Sequence, residues 1–148
     1  MDVYDSAAVQ AVWGRVMQQR PLTEDILTEW IAAELASQRT YRSMARRDRR
    51  FAARFMHMAN DEAMHARKLR GLYYLLFGHH PKVRAGAADT ERSFGAALCT
   101  SYRGELAARD NYHAAAEKWQ EHAQLFHAIA DDENRHAQMI QKITSEYI

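Results

Sequence analysis

The run Ala59-Asn60-Asp61-Glu62-Ala63-Met64-His65-Ala66 recurs 71 residues later as Ala130-Asp131-Asp132-Glu133-Asn134-Arg135-His136-Ala137. On a helix, positions i and i+3 share a face, so each run presents a carboxylate and an imidazole side by side. The same shift carries Phe55 onto Phe126, Glu34-Leu35 onto Glu105-Leu106 and Tyr41 onto Tyr112. In both halves the lone Glu precedes the Glu-x-x-His by 28 residues. Two helix hairpins of equal design, related by an approximate two-fold, would set their Glu residues at one level.

Working outward, the chain reads as helices. Prolines are confined to Pro21 and Pro81, no stretch alternates β-branched and polar residues, and Ala, Leu, Met, Glu, Gln and Arg dominate. A short leading helix is expected near 5–18, with Val9, Val12, Trp13 and Val16 on one side. Thr23 is a candidate N-cap, with Glu24 and Asp25 in the first turn of helix one, about 24–45. Helix two covers about 49–77, and Gly78 through Ala88 is a loop. Helix three starts near Asp89 or Thr90 and runs to about 116; helix four covers about 118–146.

Each helix carries a seam with steps of three and four: Leu27, Trp30, Glu34, Ser37, Tyr41, Met44 in the first and Phe94, Leu98, Ser101, Glu105, Ala108, Tyr112 in the third. The second runs from Phe51, Phe55 and Met58 through Glu62 and His65 to Leu69, Leu72 and Leu76. The fourth runs from Trp119, His122, Phe126 and Ile129 through Glu133 and His136 to Ile140, Ile143 and Tyr147. The apolar members are core. The glutamates are not, because four carboxylates converging at low dielectric must be protonated, paired or bound to metal.

The expected site is two metal ions held by Glu34, Glu62, His65, Glu105, Glu133 and His136. Glu62 and Glu133 would bridge, Glu34 with His65 completing one metal and Glu105 with His136 the other. Oxygen and nitrogen donors suit iron or manganese. Asp61 and Asp132, a turn before the histidines, are either outer acceptors for a ring N–H or ordinary solvated charges. Tyr41 and Tyr112 are either core phenols needing a partner or proton or electron donors beside the metals. His57, His113, His122 and His127 are expected at the core edge or surface, and Cys99 fills space.

Composition bounds the rest. A chain of 148 residues with 47% apolar and 26% charged content can bury the core of one domain. Cys99 is the sole cysteine, which excludes an intramolecular disulfide and a cysteine-based metal site and suits a cytoplasmic setting. The first residues lack a basic start followed by an apolar stretch, so no secretory signal is expected. A net charge of +1 favours neither nucleic acid nor membrane. Seven arginines between Arg39 and Arg54 straddle the first turn, either as a solvated loop or as a docking patch for an acidic partner.

With these residues in place, the chain resembles the ferritin-like superfamily, and within it the catalytic domain of the rubrerythrins, over about residues 24–146. Glu34 with Tyr41, Gly104-Glu105, and the two Asp-Glu-x-x-His runs carry the resemblance. It implies an all-α, ferritin-like four-helix bundle of two repeated hairpins with a long crossover, the leading helix lying outside it. It also implies a di-iron oxidoreductase reacting with peroxide or oxygen, commonly as a homodimer. Two departures matter. Rubrerythrins usually carry a four-cysteine rubredoxin domain, so electrons here would come from an external donor protein. They also place a second Glu where this chain has Ala108. The ligand set is similar, too, to bacterioferritin-type ferroxidase centres and di-iron hydroxylases of small organic substrates.

Overall fold

Pro21 and Leu22 deliver the chain to Thr23, whose hydroxyl accepts a hydrogen bond from the Ile26 amide at 3.3 Å and opens α1, Glu24–Arg47. Acidic residues in the first turn and arginines in the last complement the helix dipole. Asp48 closes the helix and caps a single 3-10 turn, Arg49–Phe51, which reverses the chain into α2, Ala52–Phe77. Gly78 ends α2 at φ +75°, a left-handed conformation that a Cβ would strain. Ser93 caps α3, Phe94–Lys118, and a second 3-10 turn, Gln120–His122, leads into α4, Ala123–Tyr147. The computed structural model describes residues 7, 21–84, 86–87 and 92–148. The leading helix expected near 5–18, Ala7 apart, lies outside the described residues, as do Asp89 and Thr90. Helix three begins at Phe94, later than the sequence suggested, because Ser93 supplies the cap.

The fold is an all-helical bundle of two hairpins, α1 with α2 and α3 with α4. The hairpins meet most closely along α2 and α4, and no comparable backbone approach joins α1 to α3. Two apolar cores fill the ends of the bundle. One gathers Leu27, Leu69, Leu72, Tyr112, Phe126 and Ile129; the other gathers Leu98, Ile140, Ile143, Tyr41, Phe55 and Met58. These are repeat partners, 71 residues apart, so each end of the bundle is the counterpart of the other. Burial of this apolar surface drives assembly at about 25 cal/mol per Å². Between the cores lies the layer of glutamates and histidines.

Two expectations fail at the periphery. Leu76 and Tyr147 are exposed, although the neighbouring Phe77 packs on the core and the Tyr147 ring meets Phe94 at 5.0 Å. Cys99 is exposed rather than space-filling, since it lies one residue off the buried Leu98 stripe. The arginine-rich turn is partly structural: Arg54 pairs with Glu146 at 2.7 Å, Arg50 with Asp48, and Arg47 lies over the Phe94 ring at 5.8 Å. Arg39 donates to the Leu35 carbonyl and to that of Gly86, tying α1 to the crossover. No helix among the described residues is long and apolar enough to cross a membrane.

Candidate metal centre

All six expected donors converge. Glu62, His65, Glu133 and His136 are at most 2% exposed, and Glu34 and Glu105 are 5% exposed. Helical repetition explains why: each sits on the buried stripe of its helix, and the mid-bundle level is shared by all four helices. The donor atoms fall into two overlapping groups, Glu34-Glu62-His65-Glu133 and Glu62-Glu105-Glu133-His136, each within 4.8 Å. Glu62 and Glu133 belong to both. His65 Nδ1 lies 3.3 Å from Glu34, 3.3 Å from Glu62 and 3.1 Å from Glu133. His136 Nδ1 lies 3.2 Å from Glu62, 3.3 Å from Glu133 and 3.5 Å from Glu105.

The contacts around this layer cross between hairpins. His65 Nε2 reaches Asp132 on α4 at 2.8 Å, and His136 Nε2 reaches Asp61 on α2 at 3.0 Å. The Tyr41 hydroxyl on α1 donates to Glu105 on α3, and the Tyr112 hydroxyl donates to Glu34. Every contact maps onto its counterpart under the 71-residue shift. Asp61 and Asp132 therefore act as outer acceptors, each for the histidine of the opposite helix. Tyr41 and Tyr112 bond to cluster carboxylates rather than to distant core groups. His57 is exposed 3.6 Å from Asp61, and His113 and His127 face each other across α3 and α4 at 2.9 Å, away from the cluster.

The electrostatics are those of anions crowded at low dielectric. Burial, with Glu105 and Glu34 close by, drives the Glu62 carboxyl well above the usual range. Burial and Glu133 hold Glu105 up at about 7. Burial would also raise Glu34 and Glu133, but the groups beside them (Glu62, His65 and Tyr112 at Glu34; Glu105, His136 and His65 at Glu133) outweigh it and leave both lowered. Burial would lower the His65 imidazole, yet the carboxylates of Glu133, Glu34 and Glu62 close beside it raise it to about 11; His136, beside Glu105, Glu133 and Glu62, is raised for the same reason. Burial and nearby carboxylates push both tyrosines up, so each phenol keeps its proton at neutral pH.

The protein's own groups do not satisfy this layer. Glu62 Oε1, both Glu133 carboxylate oxygens and His136 Nδ1 are buried without a hydrogen-bond partner. Ring nitrogens come within 3.1–3.3 Å of these oxygens without making a hydrogen bond to them. Unpartnered buried carboxylate oxygens are costly, and a pair of divalent cations bridged by Glu62 and Glu133 would satisfy them. The residues present therefore fit a two-metal group. With Nε2–H held by Asp132 or Asp61, each histidine presents Nδ1 to the cluster, the outer arrangement that metal-binding histidines favour.

On the α1/α3 side the layer opens into a cavity of about 350 Å³. All four cluster glutamates line it, and its walls include Ser37, Thr40, Thr100, Ser101, Gly104 and Ala108. Neither histidine lines it. Sequence reasoning found Ala108 and listed Ser37 and Ser101 only as seam members. The missed signal was size: small residues concentrate on the facing stripes of α1 and α3, where close packing would require larger ones.

A profile of the family described as Rubrerythrin matches residues 96–147, which is α3 from its third residue and all of α4. Neither the curated proteins nor the solved structures gave a significant match. The second hairpin, with Glu105, Glu133 and His136, is thus similar to the rubrerythrins, in line with a ferritin-like di-iron domain related to that family.

Proposed function

We propose that the chain is a di-iron carboxylate oxidoreductase of rubrerythrin-like type, which reduces peroxide or oxygen with electrons from an external donor protein. The observation that carries this reading is the pair of overlapping four-donor groups that share Glu62 and Glu133. Glu34 and His65 complete one metal position, and Glu105 and His136 the other. Iron bound there supplies the redox change, cycling between ferrous and ferric forms; manganese satisfies the same donor set.

The residues around the site have distinct tasks. Asp61 and Asp132 orient the imidazoles and set their tautomers. Tyr41 and Tyr112 hold Glu105 and Glu34 in place and keep a phenolic proton beside the layer. Tyr41 also lines the cavity, so its proton lies next to an incoming molecule. Among the described residues its walls are mainly Ala, Gly, Ser and Thr, which leave room for a small oxidant beside the glutamates. Ala108 contributes a methyl group where the family places a Glu, leaving space beside Glu105. We place the protein in the cytoplasm as a homodimer.

An iron-handling ferroxidase is the second reading, favoured by the four carboxylates facing the cavity, where Fe(II) would be the substrate. Metal analysis of the native protein, anaerobic reduction and rapid mixing with peroxide or oxygen test the proposal. Two irons per chain, reoxidised stoichiometrically by peroxide without further iron uptake, support it. Fewer than two tightly bound metals would refute it. Continued Fe(II) turnover by a closed shell of subunits favours the second reading.

A further inference from the structure

The internal repeat makes each half of the site a control for the other, and beside the two tyrosines the pair Trp30 and Ser101 breaks the symmetry. Tyr112 packs on Phe126 at 6.4 Å, and its counterpart Tyr41 stacks on Phe55 at 6.0 Å. Around Tyr112 a third ring completes the enclosure: Trp30 lies edge-on to Tyr112 at 5.4 Å and to Phe126 at 5.7 Å. The residue that the repeat places opposite Trp30, 71 positions on, is Ser101. Where one end of the layer carries an indole, the other carries a hydroxymethyl group.

The cavity follows this difference. It reaches Tyr41 and Ser101, whereas neither Tyr112 nor Trp30 lines it. Hydroxyl-bearing Thr40, Thr100 and Ser101 stand in its wall, and the four glutamates form its floor. A hydrated cation is drawn to that floor by charge. On the opposite side, α2 and α4 pack together, and Asp61 and Asp132 occupy the outer nitrogens of both histidines.

We propose that divalent cations reach the carboxylate layer from one end, through the cavity beside Tyr41, and that Ser101 sets its aperture while Trp30 seals the other end. The proposal rests on the metal reading above and goes beyond it by assigning a route and the residues that control it. Ser101 is a gate-lining residue and is not one of the six candidate donors.

The test is the rate at which chelator-stripped protein takes up Co²⁺, followed by its visible absorption after rapid mixing. Ser101→Trp should slow uptake at least tenfold while the end point stays at two Co²⁺ per chain, and Ser101→Ala should load at the wild-type rate. Gly104→Leu is an independent closure. A Cβ at Gly104 meets nothing within 4 Å, so the added side chain has open space to enter, and leucine favours a helix over glycine. It too should slow uptake. Met64→Trp, on the exposed face of α2, should leave the rate unchanged. Wild-type rates in both Ser101→Trp and Gly104→Leu would overturn the route. A wild-type protein that binds no Co²⁺ would instead overturn the metal reading beneath it.

Discussion

Removing Asp61 should weaken the metal position of His136, on the other hairpin, rather than that of His65, one turn away on its own helix. The structure sets the size of the effect. Asp61 lies 3.0 Å from His136 Nε2, and its side chain is 33% exposed. Loss of such an outer acceptor typically lowers metal affinity 10- to 100-fold. That corresponds to about 1.4–2.7 kcal/mol. Partial exposure screens the interaction, so Asp61→Ala should fall near the lower bound, about tenfold. Asp132→Ala removes a 2.8 Å contact to His65, but Arg135 already neutralises Asp132, so its effect should be no larger. Stepwise Co²⁺ titration of the stripped protein gives the two affinities. A double-mutant cycle then assigns them. Asp61→Ala should couple to His136→Ala by about 1 kcal/mol and be additive with His65→Ala within about 0.5 kcal/mol. Coupling to His65 instead would refute the crossed arrangement.

Glu62→Ala and Glu133→Ala should each abolish tight binding of both metals, checked by elemental analysis, since each removes a donor common to both groups. Metal-free protein should melt at a lower temperature than metal-loaded protein, because cations bind only the native cluster. The metal-free form should also lose stability as pH rises. Glu105 is raised from 4.5 to about 7 in the folded state, so its contribution is complete below 4.5 and disappears as pH climbs through 7. At ~1.4 kcal/mol per pH unit this is about 3 kcal/mol. Glu62 adds to the loss in the same direction, and His65, raised to about 11, extends it from pH 6.5 upward. Glu34 and Glu133 are lowered, so their contribution is lost only below about 4.5. Urea unfolding at pH 5, 7 and 9 checks the trend, and a stability that rises over this range contradicts it. Ala108→Glu should weaken azide binding to the oxidised, metal-loaded protein, seen in its optical spectrum; equal azide affinity would mean that position 108 does not reach the metals.

Much of this site was legible in the chain because helical periodicity is local. Steps of three and four place Glu34, Glu62, His65, Glu105, Glu133 and His136 on buried stripes whatever the helices later do. The 71-residue repeat makes their convergence at one level a matter of counting. Thr23 and Gly78 announced a helix start and a helix stop for equally local reasons, a side-chain oxygen for an orphan amide and a missing Cβ at positive φ. Partnership across the bundle is different. Nothing local says that Asp61 serves His136, or that the Tyr41 hydroxyl finds Glu105, because those distances depend on how two hairpins pack. The cavity arises the same way. Ser101, Gly104 and Ala108 are unremarkable on one helix, and they become a cavity wall only because the packing of the hairpins sets them opposite the small residues of α1. Helix geometry thus selected the six candidate donors, whereas the packing of the hairpins determined their partners and the side on which the cavity opens.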